Sequence, residues 1–118
     1  MWVGPEVVFP IVYFKEAGRA MVELADAPRD NIRTVNYNLG GLQPVPNAGQ
    51  LAEAVRAVLP GARIDFNPDP MVARLFAEEH PVDDSRARAE WGWSPTFDHH
   101  AMVEDFLAEL RDHPERYG

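Results

Sequence analysis

The run VVFPIVYFKEAGRAMVELADAP, residues 7–28, changes its period halfway along. Residues 7–14 are β-branched and aromatic, the composition of a strand, and Pro10 marks a bulge or an unpaired N–H within it. From about Lys15 to Ala27 the apolar positions shift to helical spacing: Ala17, Ala20, Met21 and Leu24 share one face, and Pro28 ends the helix. Residues 34–39, TVNYNL, alternate again, with Val35, Tyr37 and Leu39 on one face, until Gly40-Gly41 breaks the run. Strand, helix, strand in this order predicts an α/β fold with parallel pairing.

The second half is mainly helical. Asn47 is a good N-cap with Gln50 three residues on, and Leu51, Ala54, Val55 and Val58 form the stripe of a helix closed by Pro60-Gly61. RIDF at 63–66 reads as a short strand, NPDP at 67–70 as a turn, and Met71–Glu79 as a weak helix. A helix from Asp83 or Asp84 to Trp91 ends in RAEWGWSPTF, residues 88–97. There Gly92 supplies a left-handed stop, Trp93 folds back on the last turn near Ala87, and Pro95 prevents resumption. Asp98 caps a last helix carrying Met102, Val103, Phe106, Leu107 and Leu110 on one side. Two clear strands are few for a parallel sheet, which needs neighbours on both edges and helices on both faces. The sequence reads as the end of a doubly wound domain.

At 118 residues the chain is one domain or a piece of one, and a compact chain of this size buries about two-thirds of its unfolded surface. Eleven basic against nineteen acidic side chains give a net charge of −8, which argues against nucleic acid and anionic membrane surfaces as partners. The absence of cysteine excludes disulfides, thiolate nucleophiles and cysteine zinc sites. The first residues lack a secretory pattern and no apolar run reaches membrane-spanning length, so a cytoplasmic protein is expected.

The sequence offers no complete catalytic set. The glycines form neither G-x-G-x-x-G nor a Walker pattern, and Gly40-Gly41 is read as a strand-ending turn. The only lysine, Lys15, lies two residues from Tyr13, so there is no Tyr-x-x-x-Lys dyad, and Ser85 and Ser94 lack a nucleophile elbow. His99-His100 cannot both face one metal from a regular helix, Asp83-Asp84 is best placed for capping, and Glu16 and Arg19 read as a surface ion pair. The polar loop after the third strand, Asn67 and Asp69 with Arg74 beyond it, is where ligand residues are often found, although a plain rigid turn explains it as well.

Taken in order, four segments resemble the later part of the extended short-chain dehydrogenase/reductases, the NAD-dependent epimerase/dehydratase superfamily. IVYFKEAGRAMVELADAP resembles its YxxDxxRAxxxLxxAP stretch and TVNYNLGGLQPVPNAGQLAEAV its YN(I/V) segment. DDSRARAEWGW resembles the DxSxAxxxxGW helix, and SPTFDHHAMVEDFLAEL the final helix. Phe9-Pro10, Arg33 to Asn38, Phe66-Asn67-Pro68-Asp69 and the two tryptophans are most similar to the short-chain-type L-threonine 3-dehydrogenases; Glu6-Val7-Val8 disfavours the UDP-sugar epimerases. Lys15 stands where an acidic residue is usual, Val45 where Thr or Ser opens the helix, and His80 where tryptophan precedes Pro81.

The resemblance implies a C-terminal fragment of a Rossmann-type enzyme, 1–118 being a single partial domain. Residues 7–45 would be the last sheet strands and helix, 46–112 the helical substrate-binding region, and 113–118 a frayed tail. It implies that NAD serves the complete enzyme and that this chain alone binds none. The partner is a missing N-terminal NAD-binding half, encoded upstream or as a separate chain, and the complete enzyme forms a homodimer acting on a small molecule. Asn67, Asp69, Arg74 and His80 are the substrate-pocket candidates; no catalytic, cofactor or metal residue is assigned. A stand-alone, non-catalytic binding domain is the alternative of a different class, and a UDP-sugar epimerase-like fragment is a further one.

Overall fold

The computed structural model describes residues 1–8, 10–77 and 82–117. Among the described residues, five α-helices carry the fold. Helix α1, Phe14–Asp26, starts from extended backbone at Tyr13 and ends at Ala27, which Pro28 holds extended. Helix α2, Ala48–Val58, opens with the expected capping box: Gln50 N–H donates to Asn47 Oδ1 at 2.8 Å, and Asn47 N–H to Gln50 Oε1 at 2.9 Å. Helix α3, Pro70–Ala77, is short, and α4, Ser85–Trp91, shorter still. Helix α5, His99–Asp112, is capped by Asp98, whose Oδ1 accepts from Ala101 N–H at 2.9 Å. Helices α2 and α5 pack against each other, and the small Ala48, Ala52 and Ala54 of α2 are fully buried.

The three expected strands do not form among the described residues; there is only an isolated antiparallel bridge between Val8 and Asn47. The backbone groups of the first and third segments make isolated bonds instead of a continuous ladder. Residues 5, 7 and 11 make scattered bonds: Pro5 and Val7 carbonyls accept from Gly49 and Ala48, and Ile11 carbonyl accepts from Leu42 N–H at 2.9 Å. Residues 63–66 lie against the first residues, Asn67 N–H donating to Met1 O and Asp69 N–H to Trp2 O. Residues 36–39 keep the alternation of a strand, Tyr37 and Leu39 covered, Asn36 and Asn38 exposed. A bend at Val35 takes that side chain off the shared face and leaves it 97% exposed.

Two further expectations change. Met21, assigned to the buried face of α1, is 69% exposed; Ala20 of that face is buried as expected, and Glu16 is buried beside it. Within the tail expected to fray, 113–118, Pro114–Arg116 form a 3₁₀ turn, held by Arg116 to Glu109 at 2.7 Å and by Tyr117 edge-on to Phe106, while Gly118 lies outside the described residues.

The core is small. Trp93, Ala20 and Ala87 form its buried centre, with Tyr37, Leu39 and Trp91 packed around them. The chain exposes 8196 Å², whereas a compact 13.3 kDa protein exposes about 6,450 Å². Its radius of gyration is 16.6 Å, against about 13.5 Å for a compact domain of this length. Size therefore does not translate into the expected burial.

Candidate functional site

The tryptophan pair organises the described residues. Gly92 sits at φ 80°, the left-handed conformation that stops α4, and Trp93 N–H turns back to the Ala87 carbonyl at 3.2 Å. Trp93 is 1% exposed and its Nε1–H donates to Gly40 O at 3.0 Å. The Arg19 guanidinium lies 4.6 Å from its ring centroid. Arg19 also donates to Ser94 O at 2.7 Å and to Glu16 Oε2 at 2.8 Å. Glu16 in turn accepts from the Thr96 hydroxyl and amide. Trp93 is thus a core side chain that locks α1 to the segment after α4.

This overturns the surface ion pair expected at Glu16 and Arg19, because Glu16 is only 2% exposed. It also corrects the departure assigned to Lys15: counted from Tyr13, the acidic position of YxxDxxRA falls on Glu16, and Arg19 takes the arginine position. Burial alone would raise the Glu16 pKa, but the Thr96 hydroxyl, Arg19 and the Thr96 amide outweigh it and hold the carboxyl below its ordinary value.

Lys15 instead meets α5, with Nζ 2.7 Å from Asp105 and 3.3 Å from Glu109. Tyr13 donates its hydroxyl to the same Asp105 carboxylate. Burial, then the Asp105 acceptor and its charge, push the Tyr13 phenol upward. A catalytic tyrosine needs the opposite shift, so Tyr13 and Lys15 are a structural cluster. Beside them an apolar groove of about 390 Å³ runs between Ile11, Phe14, Val55, Met102 and Phe106. The sequence pattern did not signal this cluster, because Asp105 lies 92 residues from Tyr13.

A third cluster joins α4 to residues 33–37. Glu90 accepts from Arg33 N–H, the Thr34 hydroxyl and the Tyr37 hydroxyl. The Tyr37 and Arg33 donors lower its carboxyl to about 2. Asp83 accepts from Ser85 N–H at 3.0 Å, and Asp84 pairs with Arg88 at 2.7 Å, as helix-start acids do.

The pocket candidates converge only in part. Asp69 Oδ1 accepts from Met71 and Val72 N–H groups and so acts as the cap of α3. Asn67 is exposed one turn before it, its N–H bound to Met1 O. Arg74 stands on the exposed side of α3 in a shallow depression of about 410 Å³ with Pro70, Met71 and Leu75. His80 lies outside the described residues. Among those described, no three His, Asp or Glu side chains could hold a metal ion; His99 and His100 lie ring to ring at 4.4 Å.

The glycine pair is not a phosphate cradle. A Cβ on Gly40 would collide with the Asp84 carboxylate, and one on Gly41 with the Ile11 carbonyl. These glycines serve close approach of chain to chain, and the neighbouring charge is negative, the wrong sign for a pyrophosphate. Gly40-Gly41 therefore does not fit the phosphates of a dinucleotide. No described helix is long and apolar enough to cross a membrane.

No protein-family model matches the chain. It is 31% identical over 105 residues to the mitochondrial L-threonine 3-dehydrogenase of Bos taurus, an alignment covering 87% of this chain and 27% of that protein. An uncharacterized epimerase/dehydratase of Staphylococcus haemolyticus is 28% identical over 114 residues, covering 94% of this chain and 35% of the relative. The solved GalE-like L-threonine dehydrogenase from Cupriavidus necator superposes with a TM-score of 0.77 at 35% identity, covering 92% of this chain and 35% of that one. The chain thus spans about a third or less of the length of these relatives.

Proposed function

We propose that this chain, a homologue of L-threonine 3-dehydrogenases and epimerase/dehydratase proteins, is the C-terminal, substrate-pocket part of an NAD-dependent oxidoreductase of the L-threonine 3-dehydrogenase type. The observation that carries this reading is its likeness to the Cupriavidus necator enzyme over 92% of its own length but 35% of the relative's. In the complete enzyme, NAD accepts hydride from the threonine hydroxyl carbon. The cofactor cradle and the group that removes the hydroxyl proton belong to an N-terminal half, encoded upstream or as a separate chain; this reading is supported by the sequence here carrying neither G-x-G-x-x-G nor Tyr-x-x-x-Lys.

This chain's own contribution is to close the substrate side. Asp69 fixes the start of α3, and Arg74 presents an exposed cation for a carboxylate, with Asn67 and His80 nearby in sequence. The complete enzyme is a homodimer in this reading.

The test is reconstitution with a separately expressed N-terminal, NAD-binding part of the Cupriavidus necator relative. The mixture is expected to form NADH from L-threonine when neither part does so alone. Arg74→Ala should raise the KM for threonine about tenfold, the loss of roughly 1.4 kcal/mol of binding, with kcat little changed. Saturable NAD binding by the isolated chain, or a silent mixture, would overturn the reading in favour of a stand-alone binding domain.

A further inference from the structure

We propose that the hollow between Asn36, Asn38 and the residues around Arg86 binds a small zwitterion of the amino-acid type, at a site separate from the Arg74 depression. The hollow, of about 280 Å³, is lined by Asn36, Asn38, Asp83, Arg86 and Ala87, and it shares no residue with the depression around Arg74. Tyr37 and Leu39 pack toward Trp93, which turns Asn36 and Asn38 outward together. Ala87, 1% exposed, closes the floor.

The polar groups that line it are not spent on one another. Among the described residues, no hydrogen bond engages the side-chain amide of Asn36 or Asn38. Arg88, two residues further on, pairs with Asp84 at 2.7 Å. Arg86 reaches only the Thr34 hydroxyl, at 3.4 Å, and pairs with no described carboxylate. Asp83 accepts from Ser85 N–H at 3.0 Å. The Ser85 donors, with the charge of Arg86 behind them, hold the Asp83 carboxyl below its ordinary value, so it is an anion at neutral pH. One hollow thus carries a cation and an anion that do not neutralise each other.

That combination selects its occupant. A free anion would meet Asp83 and a chain of net charge −8, and a metal ion would meet Arg86 and too few acids. A zwitterion has no net charge to be repelled and satisfies both sides at once. Its carboxylate suits the guanidinium fork of Arg86, and its ammonium suits the Asp83 carboxylate. The two asparagine amides supply further donors and acceptors, and the space admits a short side chain over Ala87. All these residues belong to this chain, so the site stands independently of the proposed function.

The experiment titrates the isotope-labelled chain with L-alanine and follows the side-chain amide resonances of Asn36 and Asn38 by NMR. Both should move together and saturate. L-alanine methyl ester keeps only the ammonium and propionate only the carboxylate; each should bind at least about tenfold more weakly. Arg86→Gln and Asp83→Asn should each weaken alanine binding about tenfold. Asparagine at 83 keeps an acceptor for Ser85 N–H and Arg86 is exposed, so the circular dichroism of both variants should not change. Arg74→Ala should leave the titration unaltered. No saturation with alanine, equal binding of the ester or of propionate, or binding indifferent to both charge variants overturns the inference. Binding lost in Arg74→Ala and kept in Arg86→Gln assigns the amino acid to the Arg74 depression; it overturns the inference and leaves the proposed function standing.

Discussion

Two glycines that look alike in the sequence do different work, and their substitutions separate the causes. Gly92 is left-handed at φ 80°, with open space where a Cβ would go. Gly92→Ala should therefore cost about 1 kcal/mol through backbone conformation alone. At Gly41 the added Cβ collides with the Ile11 carbonyl, which also accepts the Leu42 N–H. Gly41→Ala should cost about 3 kcal/mol, because backbone must shift. Urea unfolding of both variants checks this, and equal costs would contradict it. Gly92 was legible because a glycine between a helix and a tryptophan is a local signal; the crowding at Gly41 depends on residue 11 and was not. Glu16 was misread for the same reason: its i, i+3 arginine is visible in the sequence, whereas its Thr96 donors lie 80 residues away. Because the folded Glu16 carboxyl lies below its ordinary value of 4.5, its contribution is complete above that value and is lost as pH falls through the lower one. Glu16→Gln should cost about 2 kcal/mol at neutral pH and flatten the acid limb of a stability–pH curve. An acid limb as steep as before would show that other carboxylates carry it.

Elements were legible where the chain supplies its own partners. Helices satisfy their backbone internally, so caps and periodicity sufficed: the Asn47–Gln50 box, the Asp98 cap and the stop at Gly92 all lie where local chemistry places them. Asn47 also carries the Val8 bridge, so Asn47→Ala should cost about 1 kcal/mol through the cap, whereas Asn47→Asp should retain most of it. Thermal melts of the two decide between capping and bridge, since the bridge uses backbone and survives both changes. Strands, in contrast, need a neighbour. VVFPIVYF and TVNYNL carry strand composition, but composition does not supply the second ladder, and among the described residues the first makes only scattered backbone bonds and the second forms no ladder. The candidate site was harder still. Asp69 and Arg74 could be picked from a polar loop, but the capping role of Asp69 depends on α3 beginning at Pro70.

Across the whole molecule, the composition is that of an ordinary globular protein, yet the burial is not. An unfolded chain of 13.3 kDa exposes about 19,000 Å². With 8196 Å² still exposed in the folded chain, roughly 57% is buried where about two-thirds is usual at this length. That fraction belongs to a domain half as long, and marginal stability follows from it. A partner that covers the exposed residues Met21, Val22 and Val35 binds only the folded form and must stabilise it by mass action. At a hundredfold excess over its dissociation constant the gain is about 2.7 kcal/mol, which for a domain near this size raises Tm by about 10 °C or more. The measurement needs a signal from this chain alone; fluorotryptophan incorporated at Trp2, Trp91 and Trp93 and followed by fluorine NMR provides one. With the N-terminal part of the Cupriavidus necator enzyme in excess, the Trp91 and Trp93 resonances should report the later melt. Trp91 should also shift as its indole N–H finds an acceptor. An unchanged melting temperature at saturating partner would mean that the excess surface is simply solvated, and that the chain stands as a domain in its own right.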